Sequence, residues 1–112
     1  MSGGRFDYDQ YRIDHIADEI ESVILKNKVE KDKKDLYRWD YDENGNVYED
    51  SRYYYSYDDN TIARFKEAVI ELRKAAIYAQ RIDLLLSNDD GEREFHKRLE
   101  EELEQLKTKQ NG

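Results

Sequence analysis

Asp40, Asp42 and Asn44 stand at alternate positions ahead of Gly45 and Val47. This matches the first eight positions of a helix–loop–helix calcium loop: oxygens at one, three and five, glycine at six, an aliphatic side chain at eight. The twelfth position, where a bidentate Glu closes such a loop, is Ser51. Aromatic residues alternate with charges on both sides, so the same letters read as the turn of a hairpin, and no metal site is assigned. His15 precedes Glu19 and His96 precedes Glu100, each by four, giving carboxylate–imidazole pairs on helix faces. With no nucleophile beside them, these read as surface pairs rather than general bases. Helical metal-dependent nucleotide hydrolases carry repeated acidic sets on facing helices, but Glu67 and Glu71 stand four apart without a matching second set. No phosphate-cradling glycine loop, Gly-x-Ser-x-Gly elbow or His-Glu-x-x-His occurs. No catalytic residue and no cofactor are assigned, and the chain reads as non-enzymatic.

The aromatic residues carry more. Seven of the ten tyrosines and the single tryptophan fall between Asp32 and Asp59, a segment with a net charge of −5. Tyrosine joins a flat apolar face to a hydroxyl and loses little entropy on binding, so it dominates recognition surfaces. Tyr37, Trp39, Tyr41, Tyr48, Tyr53, Tyr54 and Tyr55 are the candidate binding residues, with Arg38 and Arg52 beside them. Acid interleaved with aromatics suits steering onto a basic protein surface. The alternative is a sequestering binder for a small nucleotide signal, stacking bases on Tyr or Trp and holding phosphates with arginine. A helical nucleotide hydrolase comes third. The plain structural reading is that cross-strand aromatic pairs merely stabilise a marginal hairpin.

The elements that must position these residues follow from periodicity. Ile13, Ile16, Ile20, Val23 and Ile24 recur at threes and fours, predicting a helix over 10–31 after a flexible segment 1–9, with Asp7 or Asp9 as cap. Tyr37, Trp39 and Tyr41 alternate with Arg38, Asp40 and Asp42, predicting a bulged β-hairpin over 36–57 in which Tyr41 faces Val47 and Arg38 faces Asp50. After Asp58-Asp59-Asn60, a second helix over 60–87 carries one stripe of Ile62, Phe65, Val69, Leu72, Ala76 and Ala79 and another of Ile70, Ile77 and Leu84. Two stripes require two partners, which makes this helix central. A third helix over 90–107, opened by an Asp89/Glu92 capping box, carries Phe95, Leu99, Leu103 and Leu106. The fold class is mainly α: a three-helix antiparallel bundle with a tyrosine-rich β-hairpin between helices 1 and 2. The predicted core is Ile13, Ile16, Ile20, Ile24, Phe65, Val69, Leu72 and Ala76. The spare stripe predicts a homo-oligomer, most simply a dimer.

The 112 residues fit one domain, and 41% of them are charged, with a net charge of −8. That balance argues against binding nucleic acid through phosphates. The absence of cysteine excludes disulfides and thiolate chemistry. No apolar run approaches membrane-spanning or signal-peptide length, so a cytoplasmic protein with no membrane partner is expected.

Ser2-Gly3-Gly4-Arg5-Phe6-Asp7-Tyr8, and the stretch Ala76-Ile77-Tyr78-Ala79-Gln80-Arg81-Ile82-Asp83 running on to Asp89-Asp90-Gly91-Glu92, resemble a family of small hypothetical proteins of bacteriophages and prophages. The resemblance covers both ends of the chain better than its tyrosine-rich middle. It implies a setting rather than a chemistry: a bacterial host cytoplasm, and an accessory or counter-defence role exerted on a host protein.

Overall fold

The computed structural model describes Phe6 and residues 8–111. Most of the predicted flexible segment, with the candidate cap Asp7, lies outside the described residues. The Asp9 N–H donates to the Phe6 carbonyl, and the Phe6 N–H reaches across to Asp83 Oδ1 at 3.3 Å.

Helix α1 spans Gln10–Lys26, five residues short of the prediction. Asp9 occupies its N-cap position, but its carboxylate makes no capping bond and lies 3.5 Å from Arg12. The lost last turn has a clear cause. Asn27 turns extended and Lys28 enters the left-handed region at φ 61°, which diverts the chain into pairing with 52–57. There the Lys28, Tyr54 and Lys31 N–H groups donate to the carbonyls of Tyr55, Val29 and Arg52 at 2.7–3.1 Å.

No hairpin forms over 36–57. The segment between α1 and the central helix contains two 3₁₀ turns, Lys33–Asp35 and Arg38–Asp40, and a single-turn helix α2 at Glu49–Arg52. Three isolated bridge pairs, Asn27 with Tyr55, Glu30 with Tyr53 and Tyr41 with Val47, are the only strand-like pairings among the described residues. The expected Tyr41–Val47 pairing is present, closed by Gly45 at φ 82°, but it propagates no further. Trp39 sits inside the second 3₁₀ turn and Asp50 inside α2, so the expected Arg38–Asp50 pairing has no strands to carry it.

Helix α3 spans Asp59–Leu86, within one residue of the prediction at each end. Asp58 caps it by accepting the Thr61 N–H at 2.8 Å. Its other end is a full Schellman closure: Asn88 is left-handed at φ 64°, the Asp89 N–H returns to Leu84 O and the Asn88 N–H to Leu85 O. The Asp89 N–H, which the expected capping box would direct to Glu92, instead donates to Leu84 O, as does the Asp90 N–H. Helix α4 begins at Glu92 and runs to Asn111, beyond the predicted end at Lys107.

α1 and α4 both pack along α3, which is the central helix as its two stripes require; no comparable packing joins α1 to α4. The result is an open trough rather than a closed three-helix bundle. Its extents are 67 × 32 × 17 Å and its radius of gyration is 20.1 Å, against about 13 Å for a compact chain of this length. Among the described residues, the buried apolar ones are correspondingly few: Ala17, Ile62 and Ala76. Of these only Ala76 belongs to the predicted core; Ala17 was not singled out, and Ile62 was placed on the α3 stripe but not in the core. Ile13, Ile20, Ile24, Phe65, Val69 and Leu72 are only half-buried, and Ile16 is exposed.

Polar side chains tie the helices. Arg73 bonds Asp14 at 2.9 Å, Asp18 at 2.6 Å, and Glu21, all on α1. Partial burial alone would weaken its charge, but these three carboxylates hold its pKa above the ordinary arginine value. Arg81 joins α3 to α4, 3.2 Å from Asp90 and 3.0 Å from Glu102. Gln10, buried, donates to Gln80 at 2.6 Å and to Asp83 at 3.2 Å.

Candidate aromatic recognition surface

Asp40 and Asp42 shape the loop from within. Asp40 is buried and accepts the Tyr37 N–H at 2.8 Å. That bond, with help from Ser51 and Lys31 and against the effect of burial, holds its carboxyl below the usual aspartate range. Asp42 Oδ1 accepts the N–H groups of Asn44 and Asn46, both at 2.9 Å, which is an Asx turn. The calcium-like letters thus include the residues that build this turn. Among the described residues no group of three or more His, Asp or Glu side chains is placed to hold a metal ion.

Asn27 clamps the other end of the loop. Its Oδ1 accepts the Tyr57 N–H at 2.8 Å and its Nδ2 donates to the Tyr57 carbonyl at 3.1 Å. Tyr54 closes the middle: its hydroxyl donates to Asp35 and accepts the Asp32 N–H at 3.2 Å, while the Lys26 ammonium lies 5.1 Å from its ring centre. Donation to Asp35 raises the pKa of this phenol.

The candidate binding residues therefore divide. Tyr41, Tyr53 and Tyr54 are half-buried and belong to the scaffold of the loop. Tyr55 is at the margin of exposure, stacked on Tyr57, which meets Phe65 of α3 edge-on at 5.4 Å. Arg52 lies 3.6 Å from Glu49 on the same short helix. Tyr37 and Trp39 face outward, 57% and 72% exposed, with rings nearly parallel at 12° and centroids 5.0 Å apart. Their exposed stack on the 3₁₀ turn has Arg38 between them in sequence, and exposed Tyr48 follows Val47, the bridge partner of Tyr41. Sequence alternation grouped Tyr37, Trp39 and Tyr41 on one side of a strand; a 3₁₀ turn instead leaves Tyr37 and Trp39 exposed and Tyr41 half-buried.

The remaining candidates are surface features. His15 pairs with Glu19 at 3.1 Å, both well exposed, and His96 lies edge-on to Phe95. Glu67 and Glu71 pair with Arg64 at 2.9 Å and Lys74 at 3.7 Å on their own helix. No helix is long and apolar enough to cross a membrane among the described residues. Comparisons with protein-family models, with curated proteins and with solved structures give no match.

Proposed function

We propose that this is a non-enzymatic protein-binding module whose Tyr37–Trp39 shelf, on an acidic loop, engages a basic surface of a partner protein. The observation that carries this reading is the exposure of Trp39. A large indole left 72% accessible on a 3₁₀ turn offers a flat apolar face, which suits a binding anchor. Tyr37 stiffens that face by stacking, and Tyr48 extends the aromatic character of the loop. The charge of −5 from Asp32 to Asp59 supplies steering toward a basic partner. The sequence resemblance suggests a setting in a bacterial cytoplasm, with a host protein as the partner and an accessory or counter-defence role for a phage or prophage.

Affinity capture from the bacterial host, run in parallel with wild-type and Trp39→Ala protein, tests the proposal. A defined protein retained by the wild type and lost from the equally stable variant, with an on-rate that falls as salt rises, is the expected result. Identical partners on both proteins, or a partner released only by Arg38→Ala and Arg52→Ala together with a bound nucleotide, would assign the chain a different function.

A further inference from the structure

The trough on α3 leaves apolar surface without a cover. Ile24 and Leu25 from α1, Val69, Ile70 and Ile77 from α3, and Leu106 from α4 line an open groove of about 780 Å³, interspersed with charged side chains from all three helices, among them the Arg73 cluster. Leu25 is 78% exposed, near the end of α1 away from its buried residues Gln10 and Ala17. From this groove we infer that the protein is a two-fold homodimer, with α3 of one copy seated over α3 of the other. This inference does not rest on the recognition surface proposed above.

Area is the first argument. The chain exposes 8838 Å², whereas a compact monomer of 13.5 kDa exposes about 6,500 Å². Even half of that surplus exceeds the roughly 800 Å² per partner that a standard interface takes, and the whole of it reaches the obligate-dimer range. A monomer of this shape also has almost no interior, which a second layer of helices supplies.

Register is the second argument. The Arg81–Glu102 pair fixes the antiparallel level of α4 on α3. At about 1.5 Å per residue, Leu106 then lies beside Ile77, and α4 ends near the level of Leu72. The N-terminal half of α3 is therefore flanked by α1 and by the aromatic loop, where Tyr57 meets Phe65, but not by α4. A two-fold axis crossing α3 near Arg73 and Lys74 brings the second copy's α4 to the side of that half that its own α4 leaves open. It sets Ile70 against the second copy's Ile77, seven residues apart and symmetric about the axis. It also brings Lys66 to the level of the second copy's Glu102, a pair of opposite charge across the interface. One patch serves both copies, as an isologous interface requires.

Sedimentation equilibrium of the full chain at micromolar concentration tests the inference. Wild-type protein should give twice the chain mass, with a melting temperature that rises with concentration. Leu25→Lys places a charge in the interface twice and should weaken association at least about a hundredfold, while the helical circular dichroism of the concentrated sample is retained. Trp39→Ala, remote from the groove, should remain dimeric. A wild-type monomer, an odd-numbered oligomer, or a dimer unaffected by Leu25→Lys overturns the inference. Melting that is independent of wild-type concentration overturns it without recourse to any variant.

Discussion

The helical frame and the tyrosine-rich loop solve the same problem in opposite ways. In the frame, apolar side chains recur at helical spacing and backbone hydrogen bonds are satisfied locally, so tertiary contacts only align one helix on another. In the loop, the backbone groups of 27–31 and 52–57 satisfy one another across a long gap in sequence, and the buried Asp40 carboxylate and the Asn27 amide serve others. The frame needs its apolar residues for packing. The loop needs polar side chains for structure, and that releases Tyr37 and Trp39 for the surface. An aromatic residue is thus not evidence of a core when a neighbouring Asp or Asn already holds the fold.

The sharpest way to break the frame is at Ile62, one of its three buried apolar residues. Ile62→Ala should cost about 2–3 kcal/mol, the lower end for large-to-small core changes, because a shallow core can relax around the gap. Denaturant titration reads this directly. A cost equal to that of the same change at Ile16, which is exposed, would mean that the frame has no core distinct from its surface.

Next in size is the loop clamp. Asn27→Ala removes two hydrogen bonds to the Tyr57 backbone and should cost about 1–2 kcal/mol. Amide exchange should accelerate at Lys28, Lys31 and Tyr54, whose N–H groups make the cross-loop bonds, before it accelerates in α3. Simultaneous acceleration in both regions would show that loop and frame unfold as one unit.

These two sites also mark what the sequence could disclose. Helix α3 was legible to within a residue because burial on two sides imposes a periodic pattern and Asp58 announces its cap. The hairpin was not. Alternation of Tyr and charge signals a strand only when one side of the segment is buried against a partner, and here Tyr37 and Trp39 face solvent. The short-range signal at Glu43-Asn44-Gly45 was real, since Tyr41 does pair with Val47, yet turn chemistry cannot dictate how far the pairing extends. Nothing local foretold that α1 stops at Lys26, because that depends on Tyr57, thirty residues away. The candidate site was legible as composition. Which aromatics face out depended on the roles of Asp35, Asp40 and Asn27, visible only in three dimensions.

Acid separates the regions more gently. Asp40 in the loop and Asp58 at the start of α3 both have pKa values lowered from 3.8, Asp40 chiefly by the Tyr37 N–H and Asp58 chiefly by the Thr61 N–H. A carboxylate whose folded pKa is depressed contributes stability above its unfolded pKa, and that contribution disappears as pH falls through the folded value. Stability should therefore decline below about pH 4, the range of an ordinary aspartate. Asp40→Asn should flatten the part of that decline read at the loop amides, and Asp58→Asn the part read at the first turn of α3. Unchanged acid profiles in both variants would remove these bonds from the account of stability.

The smallest effect on stability, and the largest expected on recognition, belongs to Trp39. Trp39→Ala should change the unfolding free energy by no more than about 0.5 kcal/mol, because an exposed ring has little contact to lose. Its fluorescence, the only tryptophan signal in the chain, should be that of a hydrated indole and should be quenched readily by neutral acrylamide. The surrounding negative charge gives an electrostatic signature as well. At low salt, caesium should quench better than iodide, and the two should converge as ionic strength rises and the Debye length shrinks from about 10 Å at 0.1 M to about 3 Å at 1 M. A bound basic partner should shield the indole from all three quenchers. Strong protection of Trp39 in the free protein, with a large stability loss on truncation, would place it with Tyr41, Tyr53 and Tyr54 in the scaffold and erase the contrast between a loop that presents aromatics and a frame that buries them.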